Sequence, residues 1–218
     1  MVKTSATQMN FEGMPSVSAK TYRAIRHDVT RTAQKENSDA LHHPLDKTKQ
    51  IKRVLSGLSN LHVLELFAGQ GNLTKLYEQH GVVDAFDQKH LQTGDSYLQF
   101  HRLIGERKTY DVIDLDPYGF PSRFMPDIFL LIEDGIIFIT FPKPSVNILN
   151  GITQTHLTAY YGQHNPSHDA VVERIANFGI CHWRKLELID SVDLSSVWRF
   201  AFKAERVKAT EYTGVANR

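Results

Sequence analysis

The spacing of apolar residues changes several times along this chain, and each change marks an element. His62–Phe67 (HVLELF) is a short apolar run stopped by glycines, which predicts a buried strand. Val82–Phe86, Asp111–Leu115 and Gly135–Phe141 read the same way. Helical spacing is expected at 72–80, with Asn72 as N-cap and Gly81 as stop, and again at 98–104. A further helix is expected within 166–178 (HDAVVERIANF), ended by Gly179. Two final strands, 185–192 and 197–203, are joined by a short Asp-Leu-Ser-Ser turn. Upstream, 20–36 suits a basic helix, 37–44 a turn, and 45–58 a helix that Gly57 ends. Residues 1–20 show no periodicity and read as a loose tail, as do 209–218.

Strands alternating with helices predict an α/β fold with a mostly parallel sheet and right-handed crossovers. The last two strands are too close in sequence for a parallel crossover, so the sheet should end in an antiparallel hairpin. The 218 residues fit one large domain with an appendage. Hydrophobic residues at 41% and charged residues at 22% are globular values. No apolar run reaches the length of a membrane span, about 18 residues. The first residues, MVKTSATQMNFEGMPS, lack the apolar core of a secretory signal, so the expected location is cytoplasmic. A single cysteine, Cys181, excludes an internal disulfide framework.

The net charge of +1 hides a division. Residues 1–60 carry ten Lys/Arg against five Asp/Glu, and the remainder fifteen against nineteen. A basic extension over 21–60 therefore precedes a mildly acidic body over 61–208. Such a stretch often touches phosphate, with Arg23, Arg26 and Lys47 as candidates. A solvated helical face is the competing reading.

Three motifs carry chemistry. The first is Val63-Leu64-Glu65-Leu66-Phe67-Ala68-Gly69-Gln70-Gly71-Asn72-Leu73-Thr74, a strand, a Gly-x-Gly turn and a helix start. Such a turn lets backbone approach a ligand closely, and a helix N-terminus offers free N–H groups to an anion. The dinucleotide pattern needs a third small residue where Thr74 stands, so it fails. The second comprises two acids. Asp87 ends the second strand, and Asp95 lies in Thr93-Gly94-Asp95-Ser96. Asp87 stands 16 residues past Gly71, and a carboxylate near that distance commonly accepts from a ribose hydroxyl pair. A turn acid and a helix N-cap are the respective alternatives. The third is Asp114-Leu115-Asp116-Pro117-Tyr118-Gly119-Phe120-Pro121 at a strand end, where ligands bind in open α/β sheets. Asp116 and the Pro117 carbonyl are candidate acceptors for an exocyclic NH2, and Tyr118 is a candidate to stack on a flipped base.

Together these resemble the class I S-adenosylmethionine-dependent methyltransferases, whose fold is a Rossmann-like seven-stranded sheet ending in an antiparallel hairpin. Glu65, Gly69 and Gly71 match the first motif of that family, with Phe67 in place of its first glycine. The resemblance implies S-adenosylmethionine as cofactor, held by Glu65, Phe67, Gly69, Gly71, Asn72, Asp87, Asp95 and Ser96. Asp116-Pro117-Tyr118 resembles the motif of amino-directed nucleic-acid methyltransferases but lacks the second proline. Asp-Pro-aromatic-Gly is closer to the tRNA guanine-N2 methyltransferases, although Phe120 stands where their pattern has serine. Those enzymes are also larger and carry a C-terminal domain that is not expected in these 218 residues. The implied substrate is a base amino group, first in RNA, with DNA adenine N6 or cytosine N4 as alternative. A non-catalytic S-adenosylmethionine-binding subunit is the reading from another class. A partner protein for target recognition is a further expectation.

Phe120 and Phe141 are expected to wall the target pocket, although a core position for Phe141 is the alternative. The stretch 145–168 is expected to cover the substrate, with Tyr160 and Tyr161 as contacts. His164 and His168 have a spacing that zinc uses on a helix, but Asn165-Pro166 interrupts it, and no metal is expected.

Overall fold

The computed structural model describes residues 44–144 and 152–208. The tail at 1–20, the basic helix at 20–36 with Arg23 and Arg26, most of the 37–44 turn and the tail at 209–218 lie outside the described residues.

The first described element is α1 (Pro44–Val54), followed by β1 (Leu61–Leu66), α2 (Thr74–Tyr77) and β2 (Gly81–Phe86). Next come α3 (Ser96–Gly105), β3 (Tyr110–Leu115) and two 3-10 turns, Pro121–Phe124 and Asp127–Leu131. The chain continues through β4 (Ile132–Pro142), α4 (Ile152–Tyr161), α5 (His168–Ile180), β5 (Arg184–Asp193) and β6 (Val197–Arg206). The strands form one sheet in the order β2-β1-β3-β4-β6-β5. β1 pairs in parallel with β2 and β3, and β3 with β4. β6 runs antiparallel to both β4 and β5, so the expected terminal hairpin is present.

The sheet has six strands among the described residues, against the seven that the resemblance implied. Between β2 and β3 there is one helix and no further strand. The 87–109 stretch contains no apolar run of strand type, so nothing there can extend the sheet beyond β2.

Both faces of the sheet are covered. On one face Leu64, Leu66, Ile113, Leu115, Ile137, Ile139, Phe200 and Phe202 pack against α3, α4, α5 and the 3-10 turns. On the other, Val63, Val112, Phe138 and Ala201 pack against Ile51 of α1, Leu55 just past its end, and Leu76 and Tyr77 of α2. Burying a side chain such as Ile51 contributes about 1.5–3 kcal/mol. α1 is thus built into the sheet's cover, although it falls within the 21–60 stretch expected to be a separate basic extension. Its outer side is pinned too, because Arg53 donates twice to the Asp190 carboxylate, at 2.6 and 2.8 Å.

Three local expectations are corrected. Asn72 does not cap a helix, because α2 is one turn long and its N-cap position is Leu73, which makes no side-chain cap. Gly81 opens β2 rather than stopping a helix. A Cβ there would stand 1.9 Å from the Leu61 carbonyl oxygen, so the close approach of β1 and β2 requires glycine. Gly179 lies inside α5, whose true end is Ile180. A Cβ at Gly179 would meet Leu186 at 2.8 Å, so this glycine lets the helix lie close on the sheet.

Candidate functional site

The C-terminal ends of β1, β2 and β3 lie side by side, since Leu66 pairs with both Phe86 and Leu115. The next residues along are therefore Phe67, Asp87 and Asp116, one from each of the three sequence motifs. A parallel sheet with adjacent strands gathers there what the sequence scatters over 50 residues.

After β1 the backbone takes left-handed conformations at Phe67 (φ 69), Gly69 (φ 56) and Gly71 (φ 77). Glycine accepts this freely, whereas phenylalanine is strained by about 1–3 kcal/mol. The Phe67 ring packs edge-on against Phe124 at 5.5 Å, which helps to hold the turn. Beside Gly69 an added Cβ would meet nothing within 4 Å, so the turn faces open space. The Ala68 amide donates to the Phe86 carbonyl at 3.0 Å, tying the turn to β2. α2 is a single turn and does not supply the long helix whose N-terminus was expected to hold an anion.

Asp87 is buried and serves as a clasp. Its Oδ1 accepts from the Lys89 and His90 amides at 2.9 and 2.7 Å, and its Oδ2 from the Gly69 amide at 3.2 Å. A carboxylate has about four acceptor positions, so among the described residues one is left over, on Oδ2. Asp95 caps α3, accepting through Oδ1 from the Tyr97 and Leu98 amides at 2.8 and 3.1 Å. Ser96 is buried and its hydroxyl donates to the Phe86 carbonyl at 3.4 Å. Glu65 is buried under the turn, and its Oε2 accepts from the Thr74 hydroxyl at 2.6 Å. Burial, then the negative charge of Asp114, pushes its carboxyl up to about 8, against the hydrogen bond from Thr74. It is therefore mainly protonated at neutral pH.

At the end of β3, Tyr118 is 61% exposed. Asp116 is partly buried and pairs with Lys47 of α1. Burial disfavours its charge, but the Lys47 ammonium and the Arg199 guanidinium outweigh that, with hydrogen bonds from Lys47 and Thr140. The carboxyl is held at about 2. Beneath it lies a layer that sequence reasoning missed. The fully buried Arg199 donates to Asp114 Oδ2 at 2.6 Å and to the Thr140 hydroxyl at 3.0 Å. The Tyr77 hydroxyl donates to the same Asp114 oxygen at 2.7 Å. The available signal was the two-residue spacing of Asp114 and Asp116, which puts both on one face of β3.

Two substrate expectations are corrected. Lys47 does not grip phosphate from the surface, because it is 6% exposed and paired with a carboxylate. Phe141 is not a pocket wall but core, fully buried among Phe120, Tyr161 and Trp198. Phe120 is half-buried against Phe141 at 5.3 Å. Of the covering stretch, 152–161 is α4 and 145–151 lies outside the described residues. Tyr161 is buried, with its hydroxyl 3.3 Å from that of Ser122, whereas Tyr160 is exposed. His168 bonds to Asp169 and Ser191, and His164 to Thr158. No helix among the described residues is long and apolar enough to cross a membrane.

No family model matches the chain, and no curated protein matches it. Solved structures do. Trm1 from Pyrococcus horikoshii, in complex with S-adenosyl-L-methionine, matches with a TM-score of 0.51 at 16% identity, over 78% of this chain and 55% of that one. Wild-type Trm5b from Pyrococcus abyssi matches with a TM-score of 0.50 at 16% identity, over 73% of this chain and 48% of that one. The chain thus spans about half the length of each. At this identity the likeness shows the fold alone, a mixed sheet of six strands covered by helices.

Proposed function

We propose that this chain is an S-adenosylmethionine-dependent methyltransferase acting on an exocyclic amino group of a base in nucleic acid, with guanine N2 of tRNA as the first target. The observation that carries the reading is the convergence of the left-handed turn at 67–71, Asp87 and the Asp116-Pro117-Tyr118 corner on three adjacent strand ends. The open backbone at Gly69 and the remaining acceptor position on Asp87 suit the cofactor's amino-acid and ribose parts. Glu65, Phe67, Gly71, Asn72, Asp95 and Ser96 complete its proposed seat. The bonds from the Thr74 hydroxyl of α2 to Glu65 and from Ser96 to the Phe86 carbonyl of β2 support that role by fixing the seat's shape.

The cofactor, when bound, supplies an electrophilic methyl on a sulfonium sulfur, which keeps the bonding pair as the new N–C bond forms. The protein's part is to hold the nitrogen. Asp116 and the Pro117 carbonyl accept from its two N–H groups, and Tyr118 stacks on the base. An ionised Asp116 stabilises positive charge growing on that nitrogen. Held at about 2, it is too weak a base to keep the displaced proton, which passes on to solvent. Arg23, Arg26 and their basic neighbours take the phosphates, and a partner protein completes target recognition.

The test is transfer of labelled methyl to total tRNA and, separately, to unmodified DNA, followed by nucleoside analysis. Label in N2-methylated guanosine is expected, and Asp116→Ala should lower transfer by roughly a hundredfold or more. Label only in N6-methyladenine overturns the guanine assignment. Cofactor binding without transfer to any nucleic acid would favour the non-catalytic subunit.

A further inference from the structure

α1 and the residue just past its end deliver a buried stripe made of Lys47, Gln50, Ile51 and Leu55, at spacings that share one side of a helix. Its far end is hydrocarbon and lies on Val63 and Val112. Its near end is Lys47, whose ammonium donates to Asp116 Oδ2 across 69 residues of sequence. Lysine is almost never buried unless paired, and the same helix keeps Lys49 and Lys52 exposed. Gln50 fixes the helix between them, donating to the Arg199 carbonyl at 3.2 Å and to Asp190 at 3.1 Å.

The buried charges match in pairs. Arg199 faces Asp114 directly, so its charge is already answered. Tyr77 and Thr140 add neutral hydrogen bonds, and Glu65 is mainly protonated at neutral pH. Lys47 is therefore the cation left for Asp116.

We propose that Lys47 is a positioning residue of the site, which fixes the charge and orientation of the Asp116 carboxylate from a helix upstream of the sheet. Its kinetic consequence rests on the methyl-transfer reading, but its grip on Asp116 does not. Among the described residues, the groups acting on Asp116 from the packed elements are Lys47 from α1, Glu65 from β1, Thr140 from β4 and Arg199 from β6. Removing Lys47 leaves Arg199, shared with Asp114, and the Thr140 hydrogen bond to hold the carboxylate ionised.

The test uses the full chain and follows the Asp116 side-chain carboxyl by carbon NMR during an acid titration. In wild type the midpoint is expected below the ordinary value of 3.8. In Lys47→Met it should rise by about one unit or more, a tenfold gain in proton affinity. Lys47→Arg should restore most of the fall, and Lys49→Met should leave the midpoint unmoved. In the transfer assay, Lys47→Met should move the acid limb of the pH profile the same way and lower kcat about tenfold, with cofactor affinity retained. An unmoved midpoint in Lys47→Met overturns the proposal. So does a moved midpoint with unchanged kcat and pH profile, since the pair would then be structural only. If wild type methylates no nucleic acid, the functional reading falls and the titration alone decides the hold on Asp116. Should Lys47→Met not fold, recovery of folding in Lys47→Met/Asp116→Asn supports the pairing, and failure of both overturns it.

Discussion

On one face of the sheet, β1, β3, β4 and β6 present Leu66, Leu115, Ile139 and Phe200 to a large hydrophobic cluster. On the other face the same strands carry Glu65, Asp114, Thr140 and Arg199 at comparable depth. The apolar face is held by area removed from water, which is tolerant of detail. The charged face gains little net energy from its ion pair, because desolvation offsets attraction. Among the described residues, Gln50 Oε1, Asp114 Oδ1 and Arg199 Nε have no hydrogen-bond partner, at about 1–3 kcal/mol each. A fold optimised for stability alone would not carry this layer. Its place, directly beneath Asp116, points to the site as its reason.

The two faces should fail differently. The largest effect is expected in the charged layer: Arg199→Met leaves Asp114 buried without its partner and should cost about 3–5 kcal/mol in denaturant unfolding. Adding Asp114→Leu should recover most of that, and if it does not, the layer is more than a matched pair. Next is Glu65. Its carboxyl is raised from 4.5 to about 8, so the folded chain holds the proton that the unfolded chain loses. That contribution is complete below 4.5 and is lost as pH rises toward 8. Stability measured across this window should fall by a few kcal/mol in wild type and stay flatter in Glu65→Gln. The smallest effect belongs to the apolar face, where Ile139→Val should cost about 0.5–1.5 kcal/mol with no pH dependence.

The strands were legible because each is an apolar run or an alternation, and the terminal hairpin because its connection is too short to cross over. The site's corners were legible because strand ends in such a sheet converge. What escaped the sequence depends on contacts between distant segments. A lysine on a helix reads as solvated, and only the fold brings Lys47 to Asp116. Arg199 sits in a strand whose alternation says which face it occupies but not that Asp114 waits there. The helix at 72–80 was overread because Leu73, Leu76 and Tyr77 supply only one turn of buried contacts before β2 begins. Phe141 was undecided between pocket and core, and its position opposite Trp198 in the β4–β6 pairing settles it as core.

The clasp at Asp87 has a consequence for how tightly anything can be held there. Three backbone amides already fix this carboxylate, so its rotamer freedom was given up when the chain folded. Ordering a freely rotating side chain on association costs about 0.5–1.5 kcal/mol. A hydroxyl meeting Asp87 incurs none of that, and a single acceptor position is worth more than its count suggests. Loosening the clasp at its Gly69 end would act through the entropy of the free protein, with no contact to the guest removed.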